Sequence, residues 1–153
     1  MAIYFFDSSA LTKRYVIEVG SIWVETITGD FANNIYVASI TSVEIVAALA
    51  RRVKGRTLSA AAADAANMAL QTDFSAQYLV SDISSAIIKS AVNLAKLYAL
   101  RGYDAVQLAV AVEVHRANLS FGLSPLIFVS ADNELNAAAQ AEGLAVEHPN
   151  HHP

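Results

Sequence analysis

The chain has 153 residues, 55% hydrophobic and 16% charged, with a net charge of -4 and no cysteine. This fits one well-filled domain and excludes a disordered chain. It also excludes disulfides, thiolate nucleophiles and cysteine-ligated zinc, and the acidic balance gives no overall pull toward nucleic acid or an anionic membrane. No apolar run reaches the roughly 18 residues of a membrane span. Asp7 interrupts the apolar stretch a signal peptide would need, so a soluble cytoplasmic protein is the expectation.

The first predicted strand is "AIYFF", residues 2–6. Residues 8–28 then read as two helices broken near Gly20. After the second strand, "IYVAS" (35–39), a helix over 41–54 places Val46, Leu49, Ala50 and Val53 at helical spacing, as one apolar face. A helix over 57–73 leads to the strand "QYLVS" (77–81), and helices over 84–100 and 104–118 lead to "LIFVS" (126–130). A helix over 132–142 and the strand "LAVEH" (144–148) complete a domain of residues 1–147, leaving 148–153 as a frayed tail. Strands that alternate with helices and read as continuous apolar runs imply a three-layer α/β/α fold. Its sheet should be mostly parallel and roughly five-stranded.

Four acids stand at element starts: Asp7 after the first strand, Glu44 three residues beyond Thr41, Asp104 after the break "RGY", and Asp132 after the strand at 126–130. Each alone reads as a helix cap or a first-turn acid complementing the dipole, with Thr41 and Glu44 forming a capping box. Together they imply more, because the strand ends of a parallel sheet lie on one edge, where such folds bind ligands. Glu44 lies about 140–200° around its helix from Val46, Leu49 and Val53, free to face that edge. Four carboxylates in one crevice repel one another unless a cation neutralises them. Oxygen ligands without Cys or well-spaced His suit Mg²⁺ or Mn²⁺, which bind phosphate and activate water.

At "YFFDSSALTKRY", "ITSVEIVAALARR", "LRGYDAVQLAVA" and "SADNELNAAAQAEGLAV" the sequence resembles the PIN-domain ribonucleases, and among them the VapC-type toxins of toxin-antitoxin pairs. The resemblance implies an endoribonuclease whose Asp7, Glu44, Asp104 and Asp132 hold one or two Mg²⁺ or Mn²⁺ ions. It implies supporting hydroxyls at Ser9 and Ser130, a homodimer, and a VapB-like antitoxin that silences the toxin.

Among the remaining residues, Arg14 is the preferred phosphate contact. Arg51, Arg52, Lys54 and Arg56 read as solvated cations at a helix C-terminus. Tyr15 and Trp23 read as core or dimer contacts, and His115 as a surface residue. Glu18, Asp73, Glu134 and the other scattered acids read as surface. The tail histidines read as an adventitious metal trap. Three competing readings are a phosphoreceiver, a D-x-D phosphatase and a non-catalytic PIN-fold interaction module. The receiver lacks its acidic pair and its Lys, and Ser9 stands where the phosphatase needs a second Asp.

Overall fold

The computed structural model describes residues 1–153. Its elements are β1 (Ile3–Phe6), α1 (Ser8–Leu11) with a 3₁₀ turn Thr12–Arg14, α2 (Ser21–Gly29), β2 (Asn34–Ala38), α3 (Thr41–Lys54) and α4 (Ala60–Ala76). There follow β3 (Leu79–Ser81), α5 (Ser85–Tyr98), α6 (Gly102–Ser120), β4 (Leu126–Val129), α7 (Asn133–Ala141), β5 (Ala145–Glu147) and a final 3₁₀ turn Pro149–His151. The five strands form one sheet in the order β3-β2-β1-β4-β5, every neighbouring pair parallel. The fold is a three-layer α/β/α arrangement of PIN-like type.

β1 lies at the centre, which is why "IYFF" is apolar on both faces. Ile3 and Phe5 enter a core shared with α5, α6, α7 and β4, where Phe5 stacks on Phe128 with ring centroids 5.8 Å apart. Phe6 enters the opposite core with Ala10, Leu11, Val24, Ile45, Leu49, Ala66 and Leu70 from α1–α4. α6 is sandwiched so fully that nine of its residues are buried, as its all-round apolar sequence requires. The strand order runs outward in both directions from β1, so the topological switch point lies between β1 and β4.

Several sequence expectations need correction. The buried stripe of α3 is Thr41, Ile45 and Leu49, and Val46 is 41% exposed. Glu44 still lies off that stripe. The first helix ends early, as Thr12 Oγ1 bonds the Ser8 carbonyl and the chain leaves helical geometry after the 3₁₀ turn. α4 runs to Ala76, starting from Ser59, whose side chain caps it at the Ala62 N–H, and this shortens β3 to three residues. His115 accepts the Leu126 N–H on Nδ1, steadying the entry to β4. Tyr15 and Trp23 pack against the α1–α4 core.

The tail, expected to be frayed, is held in place. Pro149 is buried, His152 stacks on Trp23 with centroids 4.4 Å apart, and its Nε2 lies 2.9 Å from Glu147. Gly20 permits this close approach. Its φ is +86°, and a Cβ there would meet the Pro149 carbonyl oxygen at 2.5 Å. Gly20→Ala is therefore expected to destabilise the protein by about 1–3 kcal/mol, from left-handed strain and displacement of the tail together. Urea unfolding checks it as a lowered midpoint at unchanged slope.

Candidate functional site

The C-terminal edge of the sheet opens into a crevice of about 550 Å³ lined by Asp7, Glu44, Asp104 and Asp132. Four elements supply the four acids. Asp7 is the N-cap of α1 and Asp132 the N-cap of α7, each accepting the backbone N–H three residues on. Glu44 and Asp104 are not caps. α3 has Ile40 at its N-cap with no side-chain bond, α6 has Arg101 there, and each acid lies one turn inside. The capping-box reading of Thr41 and Glu44 therefore fails. Thr41 is fully buried and accepts Gln107 Nε2 at 2.8 Å.

Asp7 is 2% exposed at the end of the central strand. Ser9 Oγ reaches both its oxygens at 2.8 and 2.9 Å, Ser130 Oγ donates at 2.6 Å, and the Ala10 N–H at 2.9 Å. The two serines also receive the next loop: Ser9 Oγ accepts the Ala131 N–H and Ser130 Oγ accepts the Asp132 N–H. Burial pushes the Asp7 carboxyl up to about 7, against the pull of the Ser130, Ala10 and Ser9 hydrogen bonds and with a small push from Asp104.

Glu44 is held on both oxygens, Oε1 by Gln107 Nε2 at 2.7 Å and Oε2 by Ser8 Oγ at 3.0 Å. Gln107 escaped the sequence reading. It lies one turn beyond Asp104, and its polar side chain in the otherwise apolar run "DAVQLAVAV" was the available signal. Half-buried Asp104 is also raised, first by burial, then by the charge of Asp132, with Arg101 opposing and Glu44 and Glu134 adding to it. Glu134 thus acts on the cluster from the first turn of α7 without lining the crevice.

The donors are all hard oxygens, and mutual repulsion among them is visible at Asp104, so their chemistry suits Mg²⁺ or Mn²⁺. As the side chains stand, no three Asp, Glu or His groups converge closely enough to hold an ion.

The basic residues are placed differently from expectation. Arg14 does not line the crevice; its Nε lies 3.7 Å from Asp73, and Tyr15 also bonds that carboxylate. Asp73 is thereby an internal anchor for two α1-proximal residues. Lys13, Arg51, Arg52 and Arg101 do line the crevice, and so does Glu18, which has a definite place there. His148 comes near its rim. Its pKa is lowered first by burial, then by His151 and Lys13, while the Ala131 backbone and Asp132 pull the other way.

The pH dependence follows from Asp7. A carboxyl raised in the folded state holds a proton that the unfolded chain releases near 4, so its contribution is full below that pH and lost as pH rises through about 7. Without metal, Asp7→Asn should gain stability relative to wild type by roughly 2–3 kcal/mol between about pH 5 and pH 8.5. Paired urea melts in EDTA at the two pH values measure this difference.

No protein-family model matches the chain, and no curated protein matches it. Solved structures do. PAE2754 from Pyrobaculum aerophilum superposes with a TM-score of 0.63 at 19% identity, over 95% of this chain and 83% of that one. FitAcB from Neisseria gonorrhoeae gives 0.56 at 15%, over 97% and 99%. VapBC2 from Rickettsia felis, bound to a DNA fragment from its promoter, gives 0.58 at 13%, over 95% and 98%. What the chain shares with these proteins is the fold.

Proposed function

We propose that the protein is a Mg²⁺- or Mn²⁺-dependent endoribonuclease, the toxin of a VapBC-type toxin-antitoxin pair. The observation that carries this is the meeting of Asp7, Glu44, Asp104 and Asp132, from four separate elements, on one crevice at the switch point of a PIN-like sheet. The similarity to VapBC2 and FitAcB supports the toxin-antitoxin setting. On this reading the four carboxylates hold the ion, and Ser9 and Ser130 keep the Asp7 oxygens aimed. Gln107 and Ser8 fix the rotamer of Glu44. The bound ion would polarise a phosphodiester oxygen and lower the pKa of a bound water. The residues' own part is to assemble the negative charge that recruits the cation, since alone the four carboxylates repel phosphate.

Asp7→Asn, Glu44→Gln, Asp104→Asn and Asp132→Asn are each expected to lower RNA cleavage in Mn²⁺ by on the order of a hundredfold or more, with circular dichroism unchanged. Cleavage products of wild type should carry 5′-phosphates. Full activity in all four variants would remove the site assignment. Because ion binding requires the folded crevice, Mn²⁺ at a hundredfold excess over Kd should stabilise wild type by about 2.7 kcal/mol, and Asp104→Asn by less. Thermal melts with EDTA and with Mn²⁺ give both values.

The partners of this reading are an RNA substrate, a VapB-like antitoxin and a second copy of the chain. Light scattering tests the dimer and a pull-down from the native host tests the antitoxin. The second reading, a non-catalytic PIN-fold interaction module, is favoured by one observation: no three carboxylates converge as they stand. Absence of metal-dependent cleavage would select it.

A further inference from the structure

The crevice is lined by both signs of charge. Besides the four acids and Arg101, which lies beside Asp104, it is lined by Lys13, Arg51 and Arg52 with Glu18 among them, three cations and one carboxylate in a chain of net charge -4. Lys13 is only 5% exposed, and its Nζ lies 3.1 Å from Glu18 Oε1. Arg52 Nη2 lies 3.1 Å from the other oxygen, Oε2. One carboxylate therefore spans two cations, one oxygen to each. Arg51 is exposed and has no ion-pair partner.

Glu18 neutralises the buried Lys13 ammonium, but the Arg52–Glu18 pair is open and adds little to stability, so stability does not explain why Arg52 joins that carboxylate in the crevice. The geometry of the unit has another use. The two unesterified oxygens of a phosphodiester present the same pair of acceptors as the Glu18 carboxylate, and guanidinium and ammonium groups bind them with charge-assisted hydrogen bonds. A strand crossing the crevice would set one phosphate at the acidic end, with its cation, and a neighbouring phosphate at this wall.

We infer that Lys13, Arg51 and Arg52 form a phosphate-binding wall for the RNA backbone, and that Glu18 is a built-in competitor that occupies Lys13 and Arg52 until a phosphate displaces it. The inference rests on the nuclease reading of the acidic end. It gives the acidic protein its local attraction to a polyanion and makes Glu18 a regulator of affinity.

The two roles give opposite signs within one ion-paired unit. Binding of a labelled single-stranded RNA is measured by fluorescence anisotropy in EDTA, which suppresses metal-dependent cutting, between about 50 and 200 mM salt. Glu18→Gln should bind more tightly than wild type and steepen the plot of log K against log salt by about 0.7. Arg52→Ala and Arg51→Ala should each bind more weakly and flatten it by about 0.7. Arg51 has no partner to lose, so its variant keeps the test open if Arg52→Ala fails to fold. Glu18→Gln binding no tighter than wild type, or arginine variants matching wild type, overturns the wall. If wild type cuts RNA with Mn²⁺ while these variants show no change, the wall falls and the nuclease reading stands. If the slopes shift as expected but Mn²⁺ yields no cutting, the wall stands as an RNA-binding surface and the nuclease reading falls.

Discussion

The crevice depends on one buried carboxylate at the end of the central strand. Asp7 accepts from Ser9, Ser130 and the Ala10 N–H, and the same two hydroxyls accept the N–H groups of Ala131 and Asp132. This single network ties the β1–α1 turn to the β4–α7 turn across the switch point. Asp132 is thereby positioned by Asp7 through Ser130, although 124 residues of chain separate the acids. A carboxylate so deeply buried is costly in its charged form, which is why its pKa rises despite its hydrogen bonds. A fold selected for stability alone would place an apolar residue or a neutral cap there.

A second network steadies the other side. Gln107 from α6 bonds both Thr41 and Glu44 of α3 across the end of the sheet, while its own Oε1 is buried without a partner. Turning the amide over would set that oxygen against the Glu44 carboxylate, so the orphaned carbonyl is the lesser cost. Both networks spend buried polar groups to fix acids, and both open on the same crevice. Such supporting bonds hold side chains within the tolerance that catalysis or ion binding requires.

The sheet was legible in the sequence because buried parallel strands must be apolar on both faces, as "IYFF" and "LIFV" are. The acids were legible as a set because strand ends share an edge. What was not legible depends on partners distant in sequence. Asp73, on α4, draws Arg14 away from the crevice, leaving Lys13 to line it, and no local spacing distinguishes two adjacent cations. The buried face of α3 departs from the Val46, Leu49, Ala50 and Val53 spacing because the helix carries apolar residues on more than one side, and Thr41, sealed beneath Gln107, joins Ile45 and Leu49 in the core. The tail looked frayed because its residues are polar, yet Pro149 and His152 pack against Gly20 and Trp23. Arg51 and Arg52 fit the helix-dipole rule and line the crevice as well; the two placements do not compete.

Net charge is a poor guide to what such a protein binds. In about 0.1 M salt, charges beyond roughly 10 Å are screened, so an incoming polyanion senses the crevice more than the chain's total of -4. Within the crevice it meets both cations and carboxylates. On the proposed reading the four acids alone would repel it and Glu18 would compete for Lys13 and Arg52, so both features would keep the metal-free protein from holding phosphate tightly. A divalent cation held by the acids would, on the same reading, reverse the first of these without altering the second. Affinity for a phosphodiester would then depend on the ion, whose charge would offset the repulsion at the four carboxylates. Acids and cations together, rather than either group alone, set what a phosphodiester would meet in this crevice.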